Sequence, residues 1–315
     1  MKKNKLKACV IGLGKIGFEN ISKLYHRNHC DNYFYSNFFS LEGATDINLK
    51  KKKLFDKRYN GSSTFYESVE KMLIDCAPSI ISICVPPDET YKVLKKIKNI
   101  NKYYIFLEKP ISNNAYSLSK IISLLQYSKN KIIVNYFRAW DKNNINFINK
   151  LKNNNKCKEV IVKYSKDLDS NASHIIYMLI SIFGKISNIR IFNKHKKTPS
   201  FILLFKSNII ASFIGIRETK NNFCEANFIT DHSIYSFEAA GCRYSKQIFK
   251  KNIFYKNYYQ LSNHENIFKE KELNVFGSIT KMTYEHIVKK HKKNFSNFNK
   301  SIEVANALNY IKNRL

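Results

Sequence analysis

The stretch Lys7-Ala-Cys-Val-Ile-Gly-Leu-Gly-Lys-Ile-Gly17 is the most informative in the chain. An apolar run that reads as a strand meets Gly12, Gly14 and Gly17, spaced G-x-G-x-x-G, at the entrance to an apparent helix. That context is what a dinucleotide fingerprint requires. Gly12 permits the tight turn, Gly14 keeps side-chain bulk away from a pyrophosphate, and Gly17 lets the helix pack close to the strand. The helix start then offers N–H groups and a partial positive charge to phosphate. Lys15 and Ile16, inside the fingerprint, are expected among the cofactor contacts. Only nine glycines occur in 315 residues, so three within six positions stand out against composition.

Working outward, strands and helices alternate to about residue 135. Strands are expected at 6–11, 40–45, 79–85, 103–107 and 131–134, and helices near 16–27, 49–58, 66–75, 88–99 and 114–128. Alternation at this spacing implies a parallel sheet covered on both faces. The runs Ser79–Val85 and Tyr103–Leu107 are almost wholly apolar, as strands buried on two sides require. Beyond about residue 186 closely spaced β-like segments follow, among them 200–205, 209–216 and 233–237, and helices near 279–293 and 299–313 close the chain. The fold class expected is α/β: a Rossmann doubly wound sheet over 1–136, and an α+β domain with a mixed, mostly antiparallel, open-faced sheet over 137–315. A chain of this length suits two cores.

Composition narrows the function classes. A hydrophobic fraction of 44%, with 23 Phe and 20 Tyr, excludes a disordered chain. No signal-peptide pattern or long uncharged apolar stretch is present, so a soluble, cytoplasmic protein without a membrane partner is expected. The seven cysteines are odd in number and lack a C-x-x-C pair, and several sit in strand-like runs. They read as small hydrophobes in a reducing compartment, with no metal site. The net charge of +30 invites a nucleic-acid reading. However, only seven of the 54 basic residues are Arg, and the lysines are scattered through the chain. Runs such as Lys50–Lys53 and the tract from Lys289 to Lys293 read as solvated helix faces, so no nucleic-acid partner is expected. A basic surface would still draw anionic small molecules.

Asp46 ends the second strand in Leu41-Glu-Gly-Ala-Thr-Asp46. A carboxylate there accepts ribose hydroxyls and repels a 2′-phosphate, which favours NAD. The neighbouring Lys50–Lys53 could welcome a phosphate, so NADP stays open. From Gly17 to Asp46 there are 29 positions, where about 20 is usual. The excess, His26 to Tyr35, reads as an inserted loop.

Three further stretches follow strands at their carboxyl ends, where open α/β sheets place ligands. They are Cys84-Val-Pro-Pro-Asp-Glu-Thr-Tyr91, Leu107-Glu-Lys-Pro-Ile-Ser112 and Val134-Asn-Tyr-Phe-Arg-Ala-Trp-Asp141. With the opening glycines and Asn171-Ala-Ser-His174, the chain resembles the glucose–fructose oxidoreductase / inositol dehydrogenase (Gfo/Idh/MocA) family over nearly its whole length. Glu-Lys-Pro is the most specific mark. Val-Asn-Tyr-x-Arg and Asn-x-Ser-His resemble the branch associated with surface-polysaccharide and lipopolysaccharide biosynthesis. The resemblance implies a nicotinamide dinucleotide in the N-terminal domain and a sugar or nucleotide sugar against the C-terminal sheet, with a homodimer or tetramer formed through that sheet. It places Val85, Pro86, Pro87, Tyr91, Glu108 and Lys109 with the cofactor, and Asn135, Tyr136, Arg138, Asn171 and His174 with the substrate.

Chemically, the Lys109 ammonium could stabilise a developing alkoxide. His174 is expected in the first turn of a capped helix, where its imidazole could take the hydroxyl proton as hydride leaves the same carbon. The family commonly has Asp three residues later. Here Tyr177 stands, a third catalytic candidate, whose phenol could hydrogen-bond to His174 but carries no carboxylate charge. Asp169, five residues before His174, is left outside the catalytic set, and Tyr91 stands where the family often has His. The alternative to turnover is a non-catalytic dinucleotide-binding sensor or assembly protein.

Overall fold

Six strands form a wholly parallel sheet: β1 (Leu6–Ile11), β2 (Phe39–Thr45), β3 (Thr64–Tyr66), β4 (Ile80–Ile83), β5 (Tyr104–Leu107) and β6 (Ile132–Val134), in the order β3-β2-β1-β4-β5-β6. This is the doubly wound order, and its reversal between β1 and β4 opens the crevice in which such sheets bind ligands. β4 and β6 are buried along their whole length, which is why they show no polar alternation and Ser82 is their one polar residue. The computed structural model describes residues 5–20, 28–153, 157–217, 220–268, 275–289 and 297–315. The chain divides into two compact units: Met1–Trp140 with Asn274–Ala305, and Asp141–Leu273 with Asn306–Leu315.

Helices α2 (Lys51–Tyr59), α3 (Val69–Cys76), α4 (Thr90–Lys96) and α5 (Ala115–Leu125) connect the strands of the first unit. In α3, Ser68 caps the Lys71 N–H, and Val69, Met72, Leu73 and Cys76 bury one face at i, i+3, i+4 and i+7. In α5, Asn114 caps Ser117, and Leu118, Ile121 and Leu125 are buried. Each such side chain contributes about 1.5–3 kcal/mol on burial.

Between β1 and β2 the structure departs from expectation. Instead of a helix over 16–27 there is a π-helical turn, Lys15–Glu19; residues 21–27 lie outside the described ones. The described part of the expected loop at 26–35 is largely a buried helix, α1 (His29–Phe34). Asn28 caps it by accepting from the Asp31 N–H at 2.8 Å, and Asp31 accepts from the Tyr59 hydroxyl at 2.6 Å. A polar segment can bury itself in this way because its polar groups are given partners.

In the second unit, α6 (Lys142–Asn153) and α7 (Ser173–Phe183) pack together. Their Phe147 and Phe183 rings meet Phe228, Tyr244 and Phe205 on a nine-stranded sheet. Its strands are β7 (Cys157–Tyr164), β8 (Ile186–Asn193), β9 (Ser200–Phe205), β10 (Ile210–Gly215), β11 (Cys224–Thr230), β12 (Ser233–Glu238), β13 (Arg243–Lys251), β14 (Tyr259–Leu261) and β15 (Glu265–Asn266). The main path runs β14-β13-β12-β11-β7-β10-β9-β8, with β15 on β13; β10 is parallel to β7 and the other pairs are antiparallel. The mixed, mostly antiparallel sheet is as expected. In β7 and β11 buried residues alternate with less buried ones, the pattern of a sheet covered on one face.

The last helices are α8 (Val275–Lys289) and α9 (Phe298–Lys312); residues 290–293 of the expected helix lie outside the described ones. Although expected in the second domain, α8 packs on the first unit, where the Tyr284 ring lies 5.0 Å from Phe38 and 6.0 Å from Phe39. All seven cysteines are free and five are buried. Among the described residues no helix is long and apolar enough to cross a membrane, and no cluster of three His, Cys, Asp or Glu side chains could hold a metal ion.

Candidate active site

The three glycines after β1 have three distinct reasons to be glycine. Gly12 has φ +91°, and a Cβ there would stand 2.7 Å from the Cys84 carbonyl oxygen on the neighbouring crossover. At Gly17 a Cβ would meet the Gly12 carbonyl oxygen at 2.0 Å. Around Gly14 a Cβ would meet nothing within 4 Å. Two positions are closed by the protein's own backbone and one is open, which fits a diphosphate passing over Gly14. Hydrogen bonds within the turn begin at Phe18 N, which donates to Gly14 O at 2.9 Å, so the N–H groups of Lys15, Ile16 and Gly17 precede the turn's own ladder.

At the end of β2, Asp46 is tied to this loop. Its Oδ2 accepts from the Leu13 N–H at 2.6 Å and its Oδ1 from the Asn48 N–H at 2.8 Å. The Lys51 ammonium donates to Leu13 O at 2.8 Å and lies 3.2 Å from Glu19 Oε1 and 3.5 Å from Asp46 Oδ2. Asp46 thus holds the loop with lone pairs left for ribose hydroxyls. Nearby, an open depression of about 540 Å³ is lined by Leu49, Lys50, Lys52, Lys53 and Asp56.

Val85, Pro86 and Pro87 follow β4, and the Pro86 carbonyl accepts the Glu89 N–H at 2.9 Å ahead of α4. Tyr91 lies in α4 with the Lys95 ammonium 5.9 Å from its ring. Glu108 and Asn135 follow β5 and β6, and the sheet brings them together: Asn135 Nδ2 donates to Glu108 Oε1 at 2.6 Å. Lys109 is half-buried, Tyr136 is buried, and the buried Arg138 guanidinium lies 4.6 Å over the Phe137 ring. Sequence reasoning missed three partners here. His29 Nε2 lies 2.8 Å from Glu108 Oε1, Ser82 Oγ lies 3.0 Å from His29 Nδ1, and Tyr33 OH lies 2.7 Å from Ser82 Oγ. The one signal was the inserted stretch itself, rich in His and Asn.

The candidates of the second unit are all buried. Asn171 Nδ2 donates to Ser165 O at 3.0 Å, Asn222 Oδ1 at 2.8 Å and Phe223 O at 3.0 Å, which commits its amide nitrogen to the protein and leaves Oδ1 for a ligand. His174 differs from expectation. The helix does not start beside it, because a π-helical turn, Leu168–Ala172, capped by Asp167, runs straight into α7. His174 is therefore the second residue of α7 within a continuous helical run, and the cap at Asp167 stands one and a half to two turns before it. Tyr177 lies one turn on, 3% exposed. Asp169, left outside the catalytic set, pairs with Lys312 at 2.7 Å.

Residues 6–136 match the family model described as "Oxidoreductase family, NAD-binding Rossmann fold" (GFO_IDH_MocA). Over this stretch, somewhat under half of the chain, the sequence is similar to the Gfo/Idh/MocA oxidoreductases. No curated protein sequence matches the chain significantly. Solved structures share the fold over nearly its full length. One is the aldose-aldose oxidoreductase of Caulobacter crescentus, 12% identical, with TM-score 0.77, 98% of this chain and 97% of that one covered. Another is the UDP-N-acetylglucosamine 3-dehydrogenase GnnA of Acidithiobacillus ferrooxidans, 13% identical, with TM-score 0.73, coverage 99% and 98%. A third is a mutant of the 3-ketoreductase KijD10 of Actinomadura kijaniata, in complex with TDP-benzene and NADP, 9% identical, with TM-score 0.74, coverage 98% of each chain. At these identities the likeness is one of fold. The matched stretch carries the fingerprint glycines, Asp46, the Glu108-Lys109-Pro110 motif and Asn135.

Proposed function

We propose that this protein is an NAD(P)-dependent oxidoreductase acting on a hydroxyl or keto carbon of a sugar or nucleotide sugar, on a route to a surface glycan. The observation that carries the reading is the open position at Gly14 between two glycines closed by backbone, at the crossover where doubly wound sheets take a dinucleotide. Asp46 would hold the adenosine ribose, and the N–H groups from Lys15 to Gly17 the diphosphate. A nicotinamide bound there would supply the hydride acceptor or donor. Lys109 stabilises the charge that develops on the substrate oxygen. His174 accepts the hydroxyl proton in oxidation and returns it in reduction, with Tyr177 as its phenolic neighbour one turn along the helix. Asn135, Tyr136, Arg138 and Asn171 complete the substrate contacts.

The first unit carries the dinucleotide residues together with Lys109, Asn135, Tyr136 and Arg138, and the second carries Asn171, His174 and Tyr177. The nucleotide-sugar class is supported by the Asn-x-Ser-His and Val-Asn-Tyr-x-Arg motifs and by the names of the GnnA and KijD10 proteins. The uncovered sheet face, with the half-buried or exposed Ile161, Ile202, Leu204, Ile214 and Ile229, fits contact between copies of the chain. Five buried free thiols fit a cytoplasmic setting.

The test is titration of the protein with NADH and NADPH, followed by turnover on a panel of nucleotide sugars, with Lys109→Ala alongside. We expect cofactor binding in both proteins and turnover at least about a hundredfold lower in the variant, the scale at which one electrostatic contact contributes to catalysis. Absence of binding to either cofactor ends the dehydrogenase reading. Binding without turnover on any sugar favours the sensor or assembly protein.

A further inference from the structure

Buried polar side chains are placed for a reason, because each must find partners or destabilise the fold. His29 is 3% exposed, in a segment that on composition had read as a loop. Its ring packs edge-on against Phe106, with centroids 5.1 Å apart, so the imidazole is held in orientation as well as position. The polar atoms around it form one connected chain: Tyr33 OH, Ser82 Oγ, His29 Nδ1 and Nε2, Glu108 Oε1 and Asn135 Nδ2.

Donor logic orders this chain. Asn135 Nδ2 is a donor only, so Glu108 Oε1 accepts there. An ionised Glu108 is also an acceptor towards His29, which puts the proton on Nε2. A neutral imidazole then presents Nδ1 as an acceptor, filled by the Ser82 O–H, while Ser82 Oγ accepts from Tyr33 OH. Every member is satisfied in a single direction. Both hydrogen bonds of the carboxylate fall on Oε1, and Glu108 Oε2 has no hydrogen-bond partner among the described residues. Asn135 Oδ1 is likewise buried without one. Two acceptors at the carboxyl ends of adjacent strands, one on the residue before Lys109, are left for a ligand that brings donor hydrogens, as a hydroxyl or a primary amide does.

We propose that His29 is a positioning residue. Through its Nε2–H it fixes the Glu108 carboxylate so that Oε2, together with Asn135 Oδ1, receives the donor groups of the bound ligand. The ligand-binding part of this inference rests on the dinucleotide reading above; the hydrogen bond from His29 does not. The segment that lengthens the β1–β2 connection thus supplies a prop for the Glu-Lys-Pro motif from beneath the sheet's ligand edge.

Two measurements test it on the full chain. In ¹⁵N-histidine spectra of the ligand-free protein, the resonance lost in His29→Gln identifies His29. It should show a protonated Nε2 and an acceptor Nδ1, and its N–H proton should move upfield in Glu108→Gln. A protonated Nδ1 beside a bare Nε2 overturns the proposal. Fluorescence titration with NADH then follows wild type, His29→Leu, His29→Gln, Glu108→Gln and the His29→Leu/Glu108→Gln double variant. We expect binding about tenfold weaker in His29→Leu, restored to within about threefold by the donor amide of His29→Gln, and little further change when His29→Leu is added to Glu108→Gln. Equal losses from His29→Leu in both backgrounds, or none in either, overturn it. If His29→Leu does not fold, the spectra of wild type and Glu108→Gln decide. Should wild type bind neither NADH nor NADPH, the dinucleotide reading falls, and the spectra alone judge the link between His29 and Glu108.

Discussion

Replacing Gly14 and Gly17 by alanine in separate proteins sets the cofactor reading against a purely structural one, because the same added methyl group meets opposite surroundings. At Gly17 it would stand 2.0 Å from the Gly12 carbonyl oxygen. That carbonyl belongs to a residue whose own N–H is bonded to Thr45 O at 2.9 Å. Overpacking costs about 1–3 kcal/mol where side chains can yield, and the obstacle here is backbone, so we place Gly17→Ala at about 3 kcal/mol or more. With each kcal/mol worth roughly 2–4 °C in a unit of this size, the melting midpoint should fall by roughly 6–12 °C. At Gly14 the backbone is extended, with φ −71° and ψ −166°, and the methyl group meets open space. Alanine fits that conformation, and the smaller entropy of the unfolded chain should leave stability unchanged or raised by up to about 1 kcal/mol. What Gly14→Ala should lose is the cofactor. A methyl group that lifts a diphosphate off even one N–H forfeits a charge-assisted hydrogen bond of about 1.5–3 kcal/mol, a roughly ten- to hundredfold weaker Kd. Differential scanning calorimetry and NADH fluorescence titration read the two quantities. A Gly14→Ala protein that binds NADH like wild type, or a Gly17→Ala protein that melts like it, would refute the assignment of these positions.

Wild type should bind NADH at least about tenfold more tightly than NADPH, because a 2′-phosphate would meet the Asp46 carboxylate. Asp46→Ser should narrow that ratio and Lys51→Ala widen it, whereas tighter binding of NADPH by wild type contradicts the role given to Asp46. In the first unit, the neighbouring Cys9 thiol and the Tyr66 hydroxyl, 3.5 Å from Cys76 Sγ, favour the Cys76 thiolate against the opposing effect of burial, holding its pKa down at about 7 against an ordinary 9.0. Since the folded value lies below the unfolded one, this contribution to stability is complete above about pH 9 and is lost as pH falls through about 7. Ultraviolet absorbance of the thiolate, taken as the difference between wild type and Cys76→Ala, should therefore titrate near pH 7, and the Cys76 signal should shift upward in Cys9→Ala. A midpoint near 9 in wild type would show that the pair does not share a proton in this way.

The elements that could be read from the sequence share one property, that local composition alone specifies them. β4 and β6 are buried along their length, so they show no alternation, and with Ser82 as their single polar residue the apolar character is plain. β8 leaves every residue partly or fully exposed, and its Asn, Arg and Ser hide it among loops. β3 is three residues at a sheet edge, too short for any period. α8 could be seen as a helix but not assigned to a unit, because its partners Phe38 and Phe39 lie more than 200 residues earlier.

The site divides along the same line. Gly12, Gly14, Gly17 and Asp46 could be proposed from the sequence because the dinucleotide reading rests on local features of the backbone: a turn, an open approach, a close packing and a strand-end carboxylate. Asn171 and His29 show where residue type stops being informative. An amide reads from sequence as a ligand donor, yet two of the acceptors of the Asn171 nitrogen are backbone carbonyls, at Ser165 and Phe223, and no side-chain pattern announces them. His29 reads as one polar residue in a loop until the sheet sets Ser82, Glu108 and Asn135 around it from 53, 79 and 106 positions away. A parallel sheet places the carboxyl ends of its strands side by side whatever separates them in sequence. Any polar group delivered to that edge by an insertion therefore becomes a neighbour of the Glu-Lys-Pro motif, so an insertion there can alter how Glu108 is held while every residue of the motif stays the same.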